Sequence, residues 1–208
     1  MAEDAYGSIA KWYDTVLGPV SRPLRDLVLQ LEPPTPAMKV LDVACGTGVY
    51  LEACLDAGAE CAGIDLSESM LAVATERLGD GADLTLGDAT DMPYDDETFD
   101  LTVTSLFLHE LDTETAMVVI SEMVRVTTLG GTALVVDYRA GSLRWKGKAW
   151  RGFSYATERM AGGRHYRAWR YFMAKGGVPN ALPMSVEIDK ERIVAGGNLA
   201  VWWLRRSS

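Results

Sequence analysis

Residues 40 to 48, Val40-Leu41-Asp42-Val43-Ala44-Cys45-Gly46-Thr47-Gly48, decide the fold. An apolar run from Met38 to Val43, interrupted by one acid, gives way to a glycine loop, and a helical pattern begins near Val49. The order is strand, tight turn, helix. Gly46 and Gly48 lack Cβ atoms, so the backbone there can turn sharply and lie against a ligand. In an open α/β sheet such a loop sits at the carboxyl end of the first strand, where ligands bind. Two ligands compete for a Gly-x-Gly turn. A dinucleotide fingerprint needs a third glycine, and its position here is Leu51. Asp42 would also meet a pyrophosphate unfavourably, whereas it suits a cationic, amino-bearing ligand. The charges favour a sulfonium amino acid over a dinucleotide.

Further strand ends follow in register. Cys61-Ala62-Gly63-Ile64-Asp65 reads as a second apolar strand, with Asp65 placed 23 residues after Asp42. A carboxylate at the end of a neighbouring strand can accept both hydroxyls of a ribose. Ser67 caps the next helix, in which Met70 and Leu71 are available to a purine face. A third strand over 82–86 ends in Gly87-Asp88-Ala89, with Asp88 placed to accept from an exocyclic amine. The fourth, over 100–106, follows the turn Pro93-Tyr94-Asp95-Asp96 and ends at Leu106. The fifth, over 132–137, follows a helix over 113–127 and the break Gly130-Gly131.

As a set, these motifs resemble the class I S-adenosylmethionine-dependent methyltransferases over about residues 8 to 138. The carriers are the 40–48 loop, Gly63-Ile64-Asp65-Leu66-Ser67-Glu68-Ser69-Met70-Leu71, Gly87-Asp88-Ala89, Phe99-Asp100-Leu101 and Leu129-Gly130-Gly131-Thr132. The opening Ile9-Ala10-Lys11-Trp12-Tyr13-Asp14 is similar to the subgroup of ubiquinone/menaquinone-biosynthesis enzymes and many small-molecule relatives. The resemblance implies a Rossmann-like α/β domain with a seven-stranded, mostly parallel sheet whose last strand is antiparallel. Helices cover both faces, and a helical lid is inserted after strand five. It divides the single domain into opening helices (1–32), a cofactor-binding core (37–138), a basic aromatic lid (139–178) and a terminal β-hairpin (184–206). It implies S-adenosylmethionine as cofactor and S-adenosylhomocysteine as product. Tyr13, Asp42, Ala44, Gly46, Gly48, Asp65, Leu66, Met70, Asp88, Ala89 and Leu106 are the cofactor-binding candidates.

At 208 residues, 48% of them hydrophobic, one α/β domain with a substantial core is expected. No apolar run is long enough to cross a membrane, and residues 1 to 20 carry no signal-peptide pattern, so a cytoplasmic protein is expected. Cys45, Cys54 and Cys61 are odd in number and lack Cys-x-x-Cys spacing; reduced thiols are expected, with no metal. A net charge of −9 argues against nucleic-acid partners.

That charge is unevenly spread. Between Arg139 and Lys175 stand ten basic residues opposed by Glu158 alone, a local balance of +9. Eight aromatic residues are interleaved with them, from Trp145 to Phe172. Either the segment is a helical cover, with aromatics packed inward and arginines paired to an acidic core, or it is a lid recognising an anionic or aromatic acceptor. The two readings are compatible.

Methyl transfer from a sulfonium is an in-line displacement whose leaving group becomes neutral, so alignment and water exclusion are the main tasks. A base matters only if the acceptor loses a proton. His109, just past strand four, is the catalytic candidate, with backbone bonding as its alternative; His165 and Tyr138 are weaker ones. Ser105-Leu106-Phe107-Leu108 replaces the Asn/Asp-Pro-Pro-aromatic motif of nucleic-acid amino methylation. A small-molecule acceptor leads. Protein or RNA methylation through the basic segment, and a cofactor-binding module without transfer activity, are the alternatives.

Overall fold

A computed structural model describes the backbone over residues 10–160 and 162–207, with the side chains at 11–13, 15–17, 19–21, 157, 160 and 164 outside the described set. Seven strands form a sheet in the order β3-β2-β1-β4-β5-β7-β6. They are β1 (Lys39–Val43), β2 (Glu60–Asp65), β3 (Ala82–Leu86), β4 (Phe99–Ser105), β5 (Thr127–Tyr138), β6 (Val186–Val194) and β7 (Leu199–Arg206). The helices are α1 (Ala10–Leu31), α2 (Val49–Asp56), α3 (Glu68–Leu78), α4 (Thr113–Val126), α5 (Trp145–Met160) and α6 (Gly163–Ala174).

The chain divides into two compact units. The first holds residues up to Thr102 together with Val126–Gly131. Its β1, β2 and β3 pair in parallel, with Asp42 opposite Gly63 and Asp65 opposite Leu86. Val40, Leu41, Val43 and Ile64 are fully buried, as strands covered on both faces must be. β3, at the sheet edge, is only partly covered. Gly63 allows close packing here: a Cβ would come within 2.8 Å of Leu51 Cδ1 and 2.9 Å of Cys45 Sγ.

The second unit holds Val103–Arg125 and Thr132–Ser208. In it β7 lies between β5 and β6 and runs antiparallel to both. The expected hairpin with its second strand inserted in the sheet is therefore present, and its turn is a 3-10 segment, Ala195–Gly197. α5 and α6 form the expected helical insertion after β5. α5 buries Gly147, Ser154 and Glu158, with Arg151 half-buried between them. Arg151 donates to Asn198 Oδ1 and, at 2.7 Å, to the Arg139 carbonyl. Asn198 Nδ2 donates to Ser154 Oγ at 3.0 Å, tying α5 to the start of β7.

One boundary differs from expectation. β5 begins at Thr127, not at residue 132, and runs through the glycine pair. Gly130 takes φ 91°, while a Cβ on Gly131 would fall 2.7 Å from the Asp100 carbonyl. The glycines thus let the strand bend and approach its neighbour rather than ending it.

Candidate functional site

The carboxyl ends of β1, β2 and β3 in the first unit carry the expected loops. After β1 the backbone enters the left-handed region at Ala44 (φ 59°), Gly46 (φ 53°) and Gly48 (φ 74°). Gly48 leads into α2 and packs tightly, because a Cβ would reach 2.8 Å from Leu78 Cδ1. Gly46 differs: nothing lies within 4 Å of where its Cβ would be. The loop therefore offers open space beside an unshielded backbone, which is what close approach by a ligand requires.

Asp65 fixes the shape of this cradle. Its Oδ2 accepts from the Gly46 N–H and its Oδ1 from the Ser67 N–H, both at 2.8 Å. One carboxylate thus joins the β1 and β2 loops. Ser67 Oγ accepts from the Met70 N–H at 3.2 Å, capping α3 as expected. Asp42 is buried at the β1 end. Burial, then the adjacent Asp65 carboxylate, push its carboxyl well above the ordinary range. Two neighbouring carboxylates of like charge call for a cation between them.

The other candidates are distributed as follows. Met70 and Leu71 face inward, whereas Leu66 is 64% exposed. Asp88 is exposed and accepts from Thr90 N–H at 2.9 Å and Thr90 Oγ1 at 2.8 Å, forming a local turn. Ala89 beside it is buried. The side chains of Trp12 and Tyr13 lie outside the described residues. Leu106, just past β4 in the second unit, takes φ 56°, and its N–H donates to the Val136 carbonyl at 2.8 Å. A leucine held in that region is strained by about 1–3 kcal/mol, and such strain concentrates at functional strand ends.

Arg77, a residue of no motif, completes the loop. Arg77 of α3 donates to the Thr47 carbonyl at 2.9 Å and pairs with Asp14 and Glu52. Thr47 Oγ1 donates to Asp14 Oδ1 at 2.7 Å. α1, the glycine loop and α3 are thereby linked through side chains 33 and 63 residues apart.

The second unit holds a separate buried cluster. His109, 2% exposed, lies in a 3-10 turn (Leu108–Glu110), where its N–H donates to Asp137 Oδ2 at 3.1 Å. Its Nδ1 is 2.8 Å from Asp137 Oδ1, and its Nε2 is 3.6 Å from Glu158 Oε1. Tyr138 donates its hydroxyl to that same Glu158 oxygen at 2.8 Å. His165 Nε2 lies 3.1 Å from Glu110 Oε1 and 3.7 Å from Glu158 Oε2. Burial works against the charged imidazole, yet the Asp137 carboxylate, followed by Glu158, holds the His109 pKa up to about 9. Asp137, Glu158 and Glu110 had no motif to announce them. The one available signal was Glu158 itself, the lone acid among ten basic residues.

The basic segment faces two ways. Trp169 and Phe172 are buried, while Trp145, Trp150, Phe153, Tyr155 and Tyr171 are 43–75% exposed. Tyr155, Tyr166 and Trp169 contact one another edge-on or stacked, with Arg159 and Arg170 about 6 Å from the Tyr166 ring centre. Arg139 pairs with Glu191 at 3.3 Å. The side chain of Arg164 lies outside the described residues.

Known proteins resemble this chain in its domain and its fold. Residues 41–135 match the Methyltransferase domain family. A demethylmenaquinone methyltransferase of Renibacterium salmoninarum is 34% identical over 137 residues, covering 64% of this chain and 56% of that enzyme. The chain thus spans just over half the length of this relative. Among solved structures, a SAM-dependent methyltransferase from Aquifex aeolicus superposes with a TM-score of 0.59 at 19% identity, covering 86% of this chain and 88% of that one. The cyclase SpnF superposes with a TM-score of 0.61 at 20% identity, covering 88% and 80%. That fold alone therefore does not fix the reaction. Motifs, matched domain and sheet order agree, and residues 41–135 are similar to the methyltransferase domain of the class I S-adenosylmethionine-dependent enzymes.

Proposed function

We propose that this protein transfers a methyl group from S-adenosylmethionine to a small-molecule acceptor, leaving S-adenosylhomocysteine. The observation that carries the reading is the open space at Gly46, closed by Asp65 beside a buried Asp42. These residues fit a cationic amino acid joined to a ribose. Bound S-adenosylmethionine supplies the activated methyl group. The chain's part is to hold and orient it: Ala44, Gly46 and Gly48 give backbone room, Asp42 complements positive charge, and Asp65 accepts the ribose hydroxyls. Asp88 and Ala89 serve the adenine edge. Leu66, Met70 and Leu106 supply apolar contact, and Tyr13 covers the cofactor.

The acceptor in this reading is aromatic, quinone-like or anionic. The names of the relatives support it, as do the rings and guanidinium groups of residues 139–175. His109, buried and tied to Asp137, is given no proton-abstracting role. Among the described residues no helix is long and apolar enough to cross a membrane. With Cys45, Cys54 and Cys61 buried and free, the cytoplasm is the compartment proposed. No nucleic-acid partner is proposed.

Calorimetric titration is expected to show micromolar binding of S-adenosylmethionine and S-adenosylhomocysteine and no heat with NAD. Isotope-labelled methyl should then pass to a phenolic or quinol acid in an acceptor panel. NAD binding without either sulfur nucleoside would overturn the assignment. Label arriving in RNA or protein would favour docking through the basic segment, and binding without any transfer would leave a cofactor-binding module.

The same titration has a pH signature. A cationic ligand favours the Asp42 carboxylate, whose protonated form burial and Asp65 stabilise in the free protein. Affinity should rise with pH above the ordinary carboxylate range near about 4, with a proton released on binding. Calorimetry in buffers of different ionisation enthalpy reads that proton. An affinity that stays flat as pH rises above that range, with no proton release, would remove Asp42 from the site.

A further inference from the structure

The acid–imidazole cluster of the second unit presents a donor set that methyl transfer does not use. His109 Nε2, a Glu158 carboxylate oxygen and His165 Nε2 all lie within 4.8 Å of one another. The two Glu158 oxygens each face one imidazole, Oε1 at 3.6 Å from His109 Nε2 and Oε2 at 3.7 Å from His165 Nε2, near the ~3.3 Å ligand-to-ligand edge of a tetrahedral site with bonds of about 2.0–2.1 Å.

Two of these ligands are already oriented from outside. Asp137 engages His109 Nδ1 at 2.8 Å, which leaves Nε2 directed at the cluster. Tyr138 donates to Glu158 Oε1 at 2.8 Å. A carboxylate on the far nitrogen of a histidine, and a hydrogen bond on a ligating carboxylate, are what metal centres use to fix their ligands.

A second observation is independent of that spacing. Glu158 Oε2 is buried without a hydrogen-bond partner, on a side chain only 9% exposed. A buried carboxylate oxygen is costly to leave unsatisfied, and this one points at His165. Asp137, Glu158 and Glu110 also outnumber the two imidazoles, so the cluster attracts a cation.

We propose that His109, Glu158 and His165 form a binding site for a first-row divalent cation of the zinc class, with Glu110 as an adjacent oxygen donor 3.1 Å from His165 Nε2. Two imidazoles and a carboxylate, with no thiolate, suit zinc and its neighbours better than calcium or magnesium. The ligands come from the 108–110 turn, α5 and α6, so the ion would staple both helices to the end of β4. This replaces the expectation of no metal. No local pattern announces the site, because the ligands are 49 and 7 residues apart and form no metal-binding motif.

The full chain, stripped with chelator and dialysed, would be titrated with zinc by calorimetry and thermal melting, and with cobalt as a visible-spectrum probe. One equivalent should bind, the Tm should rise by several degrees, and cobalt should show the intense bands of a four- or five-coordinate ion. His165→Ala, at a partly exposed position, and the near-isosteric Glu158→Gln should each weaken binding at least tenfold while circular dichroism stays that of the wild type. Absence of saturable binding, the spectrum of hydrated cobalt, or wild-type affinity in both variants would overturn the proposal. S-adenosylhomocysteine titrated into the same samples separates this failure from failure of the methyltransferase reading.

Discussion

Replacing Gly147 by alanine is expected to lower the melting temperature by about 6–12 °C. The ordinary sign of that change is the opposite, since alanine is favoured over glycine in a helix by about 1 kcal/mol. Gly147 lies in the first turn of α5, where a Cβ would fall inside van der Waals contact of the Gly196 carbonyl. Gly196 is itself close-packed, its own Cβ position lying 2.5 Å from Gly147 N. The Arg144 N–H donates to the Gly196 carbonyl at 2.9 Å, so the turn cannot retreat without losing that bond. Forced overpacking between two backbones costs about 3 kcal/mol, and a chain of this size loses about 2–4 °C per kcal/mol. A melting scan decides the matter. A Tm that rises, or stays where it was, would show that α5 does not cross the β6–β7 turn this closely.

Asp65→Ala is expected to raise the Kd for S-adenosylhomocysteine about tenfold to a hundredfold, and Asp88→Ala by less than about fivefold. The alanine at 65 removes the acceptor of two backbone N–H groups, those of Gly46 and Ser67, together with the ribose contact proposed for it. Charge-assisted bonds of this kind contribute about 1.5–3 kcal/mol. Asp88 is exposed, and its bonds to Thr90 close only a local turn. Water can stand in for it at about 1 kcal/mol or less. Calorimetry on the two variants, with circular dichroism to confirm folding, reads the ratio. Equal losses, or a larger one at Asp88, would mean that the β2 end does not hold the ribose.

The first unit could be read from sequence because its determinants are local. Strand, turn and helix succeed one another within single stretches at 38–49 and 60–68, strand and turn at 82–90, and each turn carries its own glycine or acid. Periodicity and turn chemistry are properties of neighbours in the chain, so the carboxyl ends of β1, β2 and β3 appear where the pattern puts them. The β5 boundary was missed for the same reason. Gly130-Gly131 is a stop signal in any local reading, and only the nearness of the Asp100 carbonyl shows why a strand should keep glycine there.

The sequence by itself determined the parallel half of the sheet, the glycine loop, the two strand-end acids and the charge asymmetry of residues 139–175. Tertiary structure alone decided that Arg77 would pin Thr47 from α3 and that the lone acid Glu158 would turn inward. It also decided that His109, Asp137, Tyr138, Glu158 and His165 would meet in one buried cluster. Burial follows from which helix face is covered, and a contact between residues 109 and 158 depends on how α5 returns to the sheet. Neither is encoded in the spacing of adjacent residues, and a carboxylate on a basic helix shows its chemistry only once its partners from distant segments surround it.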